Sequence, residues 1–305
     1  MSDPSAPAQR RGKRGICLQN LNWTVVIGLL IMHVGALAAP WFFDWTSLVV
    51  MVVLIWISAG LGITLGYHRL LTHRSFKTAR WFEYFVTACG CLTWQGSPVQ
   101  WVGIHRIHHA HSDEDDDPHT PHHGFTWAHM LWCMHNETEG MKGVDAAKDL
   151  MRDPVHRLMH RWFLVPQFFL AAALYWLGEW AASAGWSASG LSWVIWGVFV
   201  RTTIVYHATW FVNSASHTWG YRNYQTTDSS TNLWWVALLS FGEGWHNNHH
   251  AHQRAAAHGR RWFELDPTYW TIKLLQVVGL ARDIVKHQPL HEDRHIMPHL
   301  RGERS

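Results

Sequence analysis

Long apolar runs alternate with polar, histidine-rich stretches along this chain. Four runs, 21–43, 47–66, 163–180 and 191–211, are long and apolar enough to cross a hydrocarbon core of about 30 Å, which takes about 20 helical residues. A short turn around Asp44 joins the first two, and the small-residue loop 181–190 joins the last two; neither connection holds Lys or Arg. Arg and His gather instead in the N-terminus, in 67–162 and in the C-terminal third. The positive-inside bias therefore puts the N-terminus in the cytoplasm, and four crossings return the C-terminus to the same side. Two further apolar stretches, Trp81–Trp101 and Asn232–Trp245, hold internal polar residues or are too short. They read as helices lying in or near the interface. The expected organisation is a cytoplasmic tail over 1–20, one membrane domain over 21–286 and a polar tail over 287–305.

Composition sharpens this reading. The chain has 25 His and 22 Trp, and its charged fraction is 15%, below the usual quarter. Imidazole is the commonest metal ligand, and Trp concentrates at membrane–water boundaries. The mean hydropathy of −0.11 conceals the spans, because the polar histidine-rich loops cancel them. A net charge of +3 gives no case for a nucleic-acid partner. The four Cys form no C-x-x-C pair, so reduced thiols are the expectation. Arg10, Arg11, Lys13 and Arg14 precede a full-length apolar run, which reads as a retained anchor and not a cleaved signal.

The histidines fall into boxes: His68 and His73 directly after the second run, then His105, His108 and His109, then His246, His249 and His250. A chain this rich in His would contain on the order of 0.2 H-x-x-H-H motifs by chance; these boxes alone supply two. Positions i, i+3 and i+4 share a helix face, so each of these triplets is expected to point at one spot. With four crossings all the boxes lie on the cytoplasmic side. Eight neutral imidazoles exceed the needs of one ion and suit two. An all-nitrogen set is compatible with Zn, Cu, Fe or Ni, and the boxes lack the H-E-x-x-H pattern of zinc proteases. Two metals beside membrane spans suggest redox chemistry on a lipid, hence oxygen-activating iron.

Several stretches resemble the membrane fatty acid desaturases, within them the stearoyl-CoA desaturase-like Δ9 group: 62–70 (GITLGYHRL), Asp117-Pro-His119, 209–217 (TWFVNSASH), Gly220-Tyr-Arg222 and 242–250 (GEGWHNNHH). The resemblance runs from about Leu21 to Leu280. It implies an all-α integral membrane protein, with four transmembrane helices and a cytoplasmic helical cap that carries the dimetal site. It also implies that His217 is a ninth metal ligand and that Asn213 acts through a water. The implied activity is insertion of a cis Δ9 double bond into a saturated acyl chain, on acyl-CoA or a membrane glycerolipid, with O2, two iron ions and two electrons. The sub-pattern 94–101 (WQGSPVQW) looks more like bacterial and photosynthetic-organism members than animal ones. No haem module, iron–sulfur cysteine set or dinucleotide fingerprint is encoded, so a separate donor is expected, ferredoxin or a cytochrome b5 with its reductase.

Trp56 and Gly60 lie three and two helical turns before His68, on its side of that helix, and are expected to close the far end of an acyl tunnel. In the acidic run 113–117 one or two carboxylates are expected to orient ligands, the rest to be solvated. Arg69, Arg74, Lys77, Arg106 and Arg222 read either as head-group contacts or as charge bias. His33, inside the first run, reads as a packing residue. Gly60, Gly62 and Gly66 read as close-packing positions. The rival readings are a membrane di-iron hydroxylase of an alkane, sterol or lipid, a soluble carboxylate di-iron protein built on Glu243/His246 and Glu292/His295, and a non-enzymatic metal or lipid binder.

Overall fold

The structure, a computed structural model, describes residues 17–136, 143–288, 293 and 296–297. Residues 1–16 of the tail expected over 1–20, most of 287–305 and the Glu292/His295 pair lie outside the described residues. The described residues are helical and form no strand, only isolated bridges such as Lys77 with Arg282.

Helix α1 (Trp23–Ala36) starts where the Asn22 side chain accepts a hydrogen bond from the Val25 amide. A short turn at Ala39–Phe42 leads to Asp44, which forms a capping box with Ser47 and starts α2 (Trp45–Thr72). Such a box satisfies amides that the first helical turn leaves without partners. Among the described residues, α2 is the one helix long and apolar enough to cross a membrane by length and composition; α1 is a shorter apolar helix. The first half of α2 turns Val49, Val52 and Val53 outward. Its second half, Trp56–Thr72, is wound as a π-helix and is almost wholly buried.

The stretch Trp81–Trp101 is not one helix. Helix α3 (Arg80–Cys91) stops at a turn where Trp94 has φ 53° and Gly96 φ 98°, and α4 (Pro98–Ala110) starts with a second capping box, Ser97 with Gln100. Helix α5 (Pro154–Trp162) precedes α6 (Val165–Ser183), which covers the third apolar run. The fourth run falls on α7, continuous over 190–214 with a π-wound segment at Ile195–Val200. Asn232–Trp245 contains only the short α8 (Trp234–Leu239). Helices α9 (His246–Ala251) and α10 (Pro267–Val277) complete the fold.

Apolar clusters tie these elements together. Leu65 of α2, Phe82 and Val86 of α3 and Ile272 of α10 form one; Leu54, Leu174 and Val198 join α2, α6 and α7; Leu29 and Met32 pack on Tyr206 and Trp210. Helices α2 and α3 touch backbone to backbone. A Cβ on Gly62 would lie 2.6 Å from Gly90 Cα, and one on Gly66 3.2 Å from the Val86 carbonyl. That is the close-packing role expected of these glycines.

Candidate metal centre

π winding brings the first box together. Its i→i+5 hydrogen bonds stack residues five apart. His73 N donates to the His68 carbonyl at 3.1 Å, and the two rings lie 4.6 Å apart. Helix α4 passes over this segment and adds His105 and His109, whose Nε2 atoms are 3.0 Å apart. Helix α9 adds His249, whose Nε2 lies 3.2 Å from that of His68 and 2.9 Å from that of His109. His68, His73, His105, His109 and His249 thus form one cluster, and His108, His217, His246 and His250 a second.

The triplets do not each point at one spot. Each divides: His105 and His109 enter the first cluster and His108 the second, while His246 and His250 enter the second and His249 the first. Successive helical residues diverge by about 100°, so an adjacent His–His pair faces two centres. The i, i+4 pair stays together because its members diverge by only about 40°.

Four carboxylates stand behind the rings. Nδ1 of His68 meets Glu243 at 2.7 Å, His108 meets Asp117 at 2.9 Å, His217 meets Asp113 at 3.0 Å and His250 meets Asp228 at 2.8 Å. A carboxylate on one ring nitrogen fixes the proton there and turns the lone pair of the other nitrogen outward. For His108 and His250 both Nε2 lone pairs then face each other at 3.3 Å in a buried site. Nε2 of His73, His217 and His246 is likewise buried without a hydrogen-bond partner. Such an arrangement is costly unless cations sit between the nitrogens.

Asp113 and Asp117 are the two members of the acidic run that face imidazoles of the clusters; Glu114, Asp115 and Asp116 are exposed, Glu114 meeting His111 at 3.2 Å. Burial raises the Asp113 carboxyl, but hydrogen bonds from His217 and Ser229 outweigh it and hold it at about 2. Burial, then neighbouring imidazoles, push His105, His109, His246 and His249 well below the usual histidine range, so they are neutral.

Arg69 is neither a head-group contact nor a solvated charge. It is fully buried, donating from Nε to Glu243 at 3.1 Å and from Nη1 to Asp266 at 2.9 Å and to the Ala256 carbonyl at 2.6 Å. Lys77 pairs at the surface with Asp283, and Arg222 donates to Thr226. Sequence reasoning overlooked Asp228 as a partner and assigned no role to His119 or His258. His119 packs on His108 with centroids 4.3 Å apart, and His258 stacks on His249 at 4.4 Å while meeting Glu243 at 2.9 Å. His33 contacts His207 at 3.1 Å inside the helical bundle, away from both clusters.

Two cavities converge beneath the clusters. The first, about 240 Å³, is walled by residues including Leu29, Trp94, Tyr206 and Trp210; the second, about 50 Å³, by residues including Ala59, Ile63, Leu239 and Phe241. They share Trp101, His105, Thr209 and Asn213, so the expected water-mediated position Asn213 stands where they meet. Neither wall includes Trp56 or Gly60. A Cβ on Gly60 would lie 3.2 Å from the Trp56 ring and 3.6 Å from Phe241, so the expected stopper lies next to Phe241, which is part of the wall.

The profile of a family described as fatty acid desaturase matches residues 39–276. The sn-1 stearoyl-lipid 9-desaturase of Anabaena variabilis is 48% identical, over 87% of this chain and 94% of its own. The sn-2 palmitoyl-lipid 9-desaturase of Nostoc sp. (strain 36) is 44% identical, over 88% of this chain and 92% of its own. The acyl-CoA C20 Delta5-desaturase of Anemone leveillei is 39% identical, over 94% of this chain and 90% of its own.

Proposed function

The chain belongs to the fatty acid desaturase family, an enzyme that desaturates fatty acyl chains, and we propose that it inserts a cis Δ9 double bond into an acyl chain carried on a membrane glycerolipid. The observation that carries this reading is the junction of two largely apolar cavities directly against two imidazole clusters. Two named relatives act on lipid-linked chains at position 9.

The donor set fits a pair of iron ions. His68, His73, His105, His109 and His249 would hold one, and His108, His217, His246 and His250 the other, with Asn213 placed to hold a water. Charge supports two dications. Arg69 pairs with Glu243 and Asp266 and offsets one of the five carboxylates Asp113, Asp117, Asp228, Glu243 and Asp266, which leaves four net negative charges behind the rings. Bound iron supplies oxygen activation, in the overall change of –CH2–CH2– with O2, two electrons and two protons to –CH=CH– and two waters. The residues supply placement. The methylenes of a chain are chemically alike, so selection of one pair rests on fixed geometry. Trp101, Thr209 and Asn213 hold the chain at the junction, and Phe241 limits how far its methyl end advances.

The membrane reading has four crossing helices (α1, α2, α6 and α7) under a cytoplasmic cap, with both termini on that side. Its support is the apolar outer surface of these helices: Ile27, Leu30 and Val34 on α1, and Phe168, Phe169 and Trp176 on α6, are exposed. Trp81, Phe85, Trp234 and Leu238 continue that surface onto the cap, as for helices resting in the interface. Electrons come from a separate carrier protein.

The test is expression in a host lacking this activity, with mass spectrometry of each lipid class. The expected product has lost two hydrogens at C9–C10 of glycerolipid-bound chains, and His108→Ala abolishes it. Products that have gained oxygen would replace this reading with the hydroxylase.

A further inference from the structure

The first cluster has a second opening, opposite in character to the cavities. A well of about 640 Å³ leads from the surface to the rings of His73 and His109, and its rim is Thr72, Arg74, Arg106, Ala110, Gln253 and Arg254. Three guanidinium groups stand around this mouth, whereas the cavity walls beneath the cluster hold none. One carboxylate lies among them. Asp149 binds Arg106 through two bonds of 2.6 and 3.0 Å and Arg74 at 2.8 Å, which holds both guanidiniums at the rim and leaves the mouth net positive. Arg74 also occupies the left-handed region at φ 51°, just where α2 ends after His73. This turn, where a side chain is strained, projects Arg74 outward with its side chain 66% exposed.

The geometry points to this basic well as the docking site of a small acidic protein that carries one electron, which passes to the metal pair through His73 and His109. This rests on the desaturase reading, which needs two electrons that the chain has no group to supply. Each visit oxidises the carrier by one electron and reduces the metal pair by one. Two visits, with O2 and two protons, account for one double bond and two waters. The separation of openings has a physical reason: the acyl chain occupies the apolar side, so a protein carrier must approach from the polar side, and the rings in the floor of the well shorten its path to the centre. A positive mouth accelerates encounter with an acidic partner and makes it salt-sensitive. It fits the small, transient contacts typical of redox partners.

The test uses the full-length enzyme in lipid nanodiscs, with a plant-type [2Fe–2S] ferredoxin in one arm and cytochrome b5 in another. Binding is measured on metal-free enzyme, so the readout does not depend on turnover. Arg254→Glu and Arg74→Gln are each expected to weaken binding of at least one carrier by about tenfold and to flatten its salt dependence. Arg254→Lys should retain binding, and Arg157→Glu, at an exposed position of α5, should bind like wild type. Unchanged binding in the well variants, or an equal loss in Arg157→Glu, would overturn the assignment. So would a wild-type enzyme that binds neither carrier but takes inorganic phosphate or anionic vesicles through these arginines. Desaturation driven by dithionite separates the two readings. Absence of product there, with arginine-dependent carrier binding intact, would count against the desaturase reading alone.

Discussion

Asp228 accepts a hydrogen bond from His250 Nδ1 at 2.8 Å and another from Ser230. Its charge therefore sets both the tautomer and the direction of one ligating ring. Asp228→Asn keeps the shape but removes that charge, and partners of this kind are worth about 10–100-fold in metal affinity. The expected result is a loss of bound metal of that order, read by elemental analysis of the purified enzyme, with Asp116→Asn at an exposed position of the acidic run unchanged. Phe241 gives a second expectation at this scale. It lines the narrower cavity, and as the limit proposed for the methyl end its removal in Phe241→Ala should shift the products toward longer chains, measured as the C18 to C16 ratio. Trp56→Ala should move that ratio less, because Trp56 is not part of the cavity wall.

Among the elements, α9 shows how a helix too short to be stable alone is held in place. Its six residues fall far below the length at which isolated helices persist in water. The two asparagines between its histidines supply the anchorage. Asn247 accepts from the amides of Asn223 and Tyr224, both at 2.8 Å, and Asn248 accepts from the side chains of Asn223 and Asn232 and donates to Glu264 at 2.8 Å. The α2–α3 contact depends on a different device, the missing side chain at Gly62. Gly62→Val would drive a side chain into the Gly90 backbone. Overpacking of this kind costs about 1–3 kcal/mol, and because α2 carries His68 and His73 it should also displace the first cluster. The expected outcome is a lower melting temperature together with lost metal. Gly28→Ala, with open space at its Cβ, should show neither.

For the whole molecule, buried imidazoles link stability to pH. Burial and neighbouring rings hold His105, His109, His246 and His249 well below the ordinary histidine value, and His250 at about 4. In the unfolded chain these groups titrate near about 6.5. The folded values are depressed, so their contribution is fully present above about 6.5 and is lost as the pH falls toward the folded values. The melting temperature of metal-free enzyme should therefore drop steadily from about pH 7 to pH 5, where the unfolded chain takes up the protons. At neutral pH, added ferrous ion should raise it, since a ligand bound only by the folded state stabilises that state.

The sequence by itself determined the kind of chemistry and the helices that carry it. Histidine boxes at helical spacing announced a nitrogen-ligand metal centre, and apolar run lengths announced the helices now seen at 23–36, 45–72, 165–183 and 190–214. Tertiary structure decided which ring serves which cluster. Local spacing places residues on a face of one helix, whereas a cluster is the meeting of several helices at particular angles. For the same reason the pairings of Glu243 with His68 and Arg69, and of Asp228 with His250, could not be read from the sequence: each joins two different segments of the chain. The segregation of a basic mouth from apolar cavities also arose only when Arg74, Arg106 and Arg254 were folded onto one side of the first cluster.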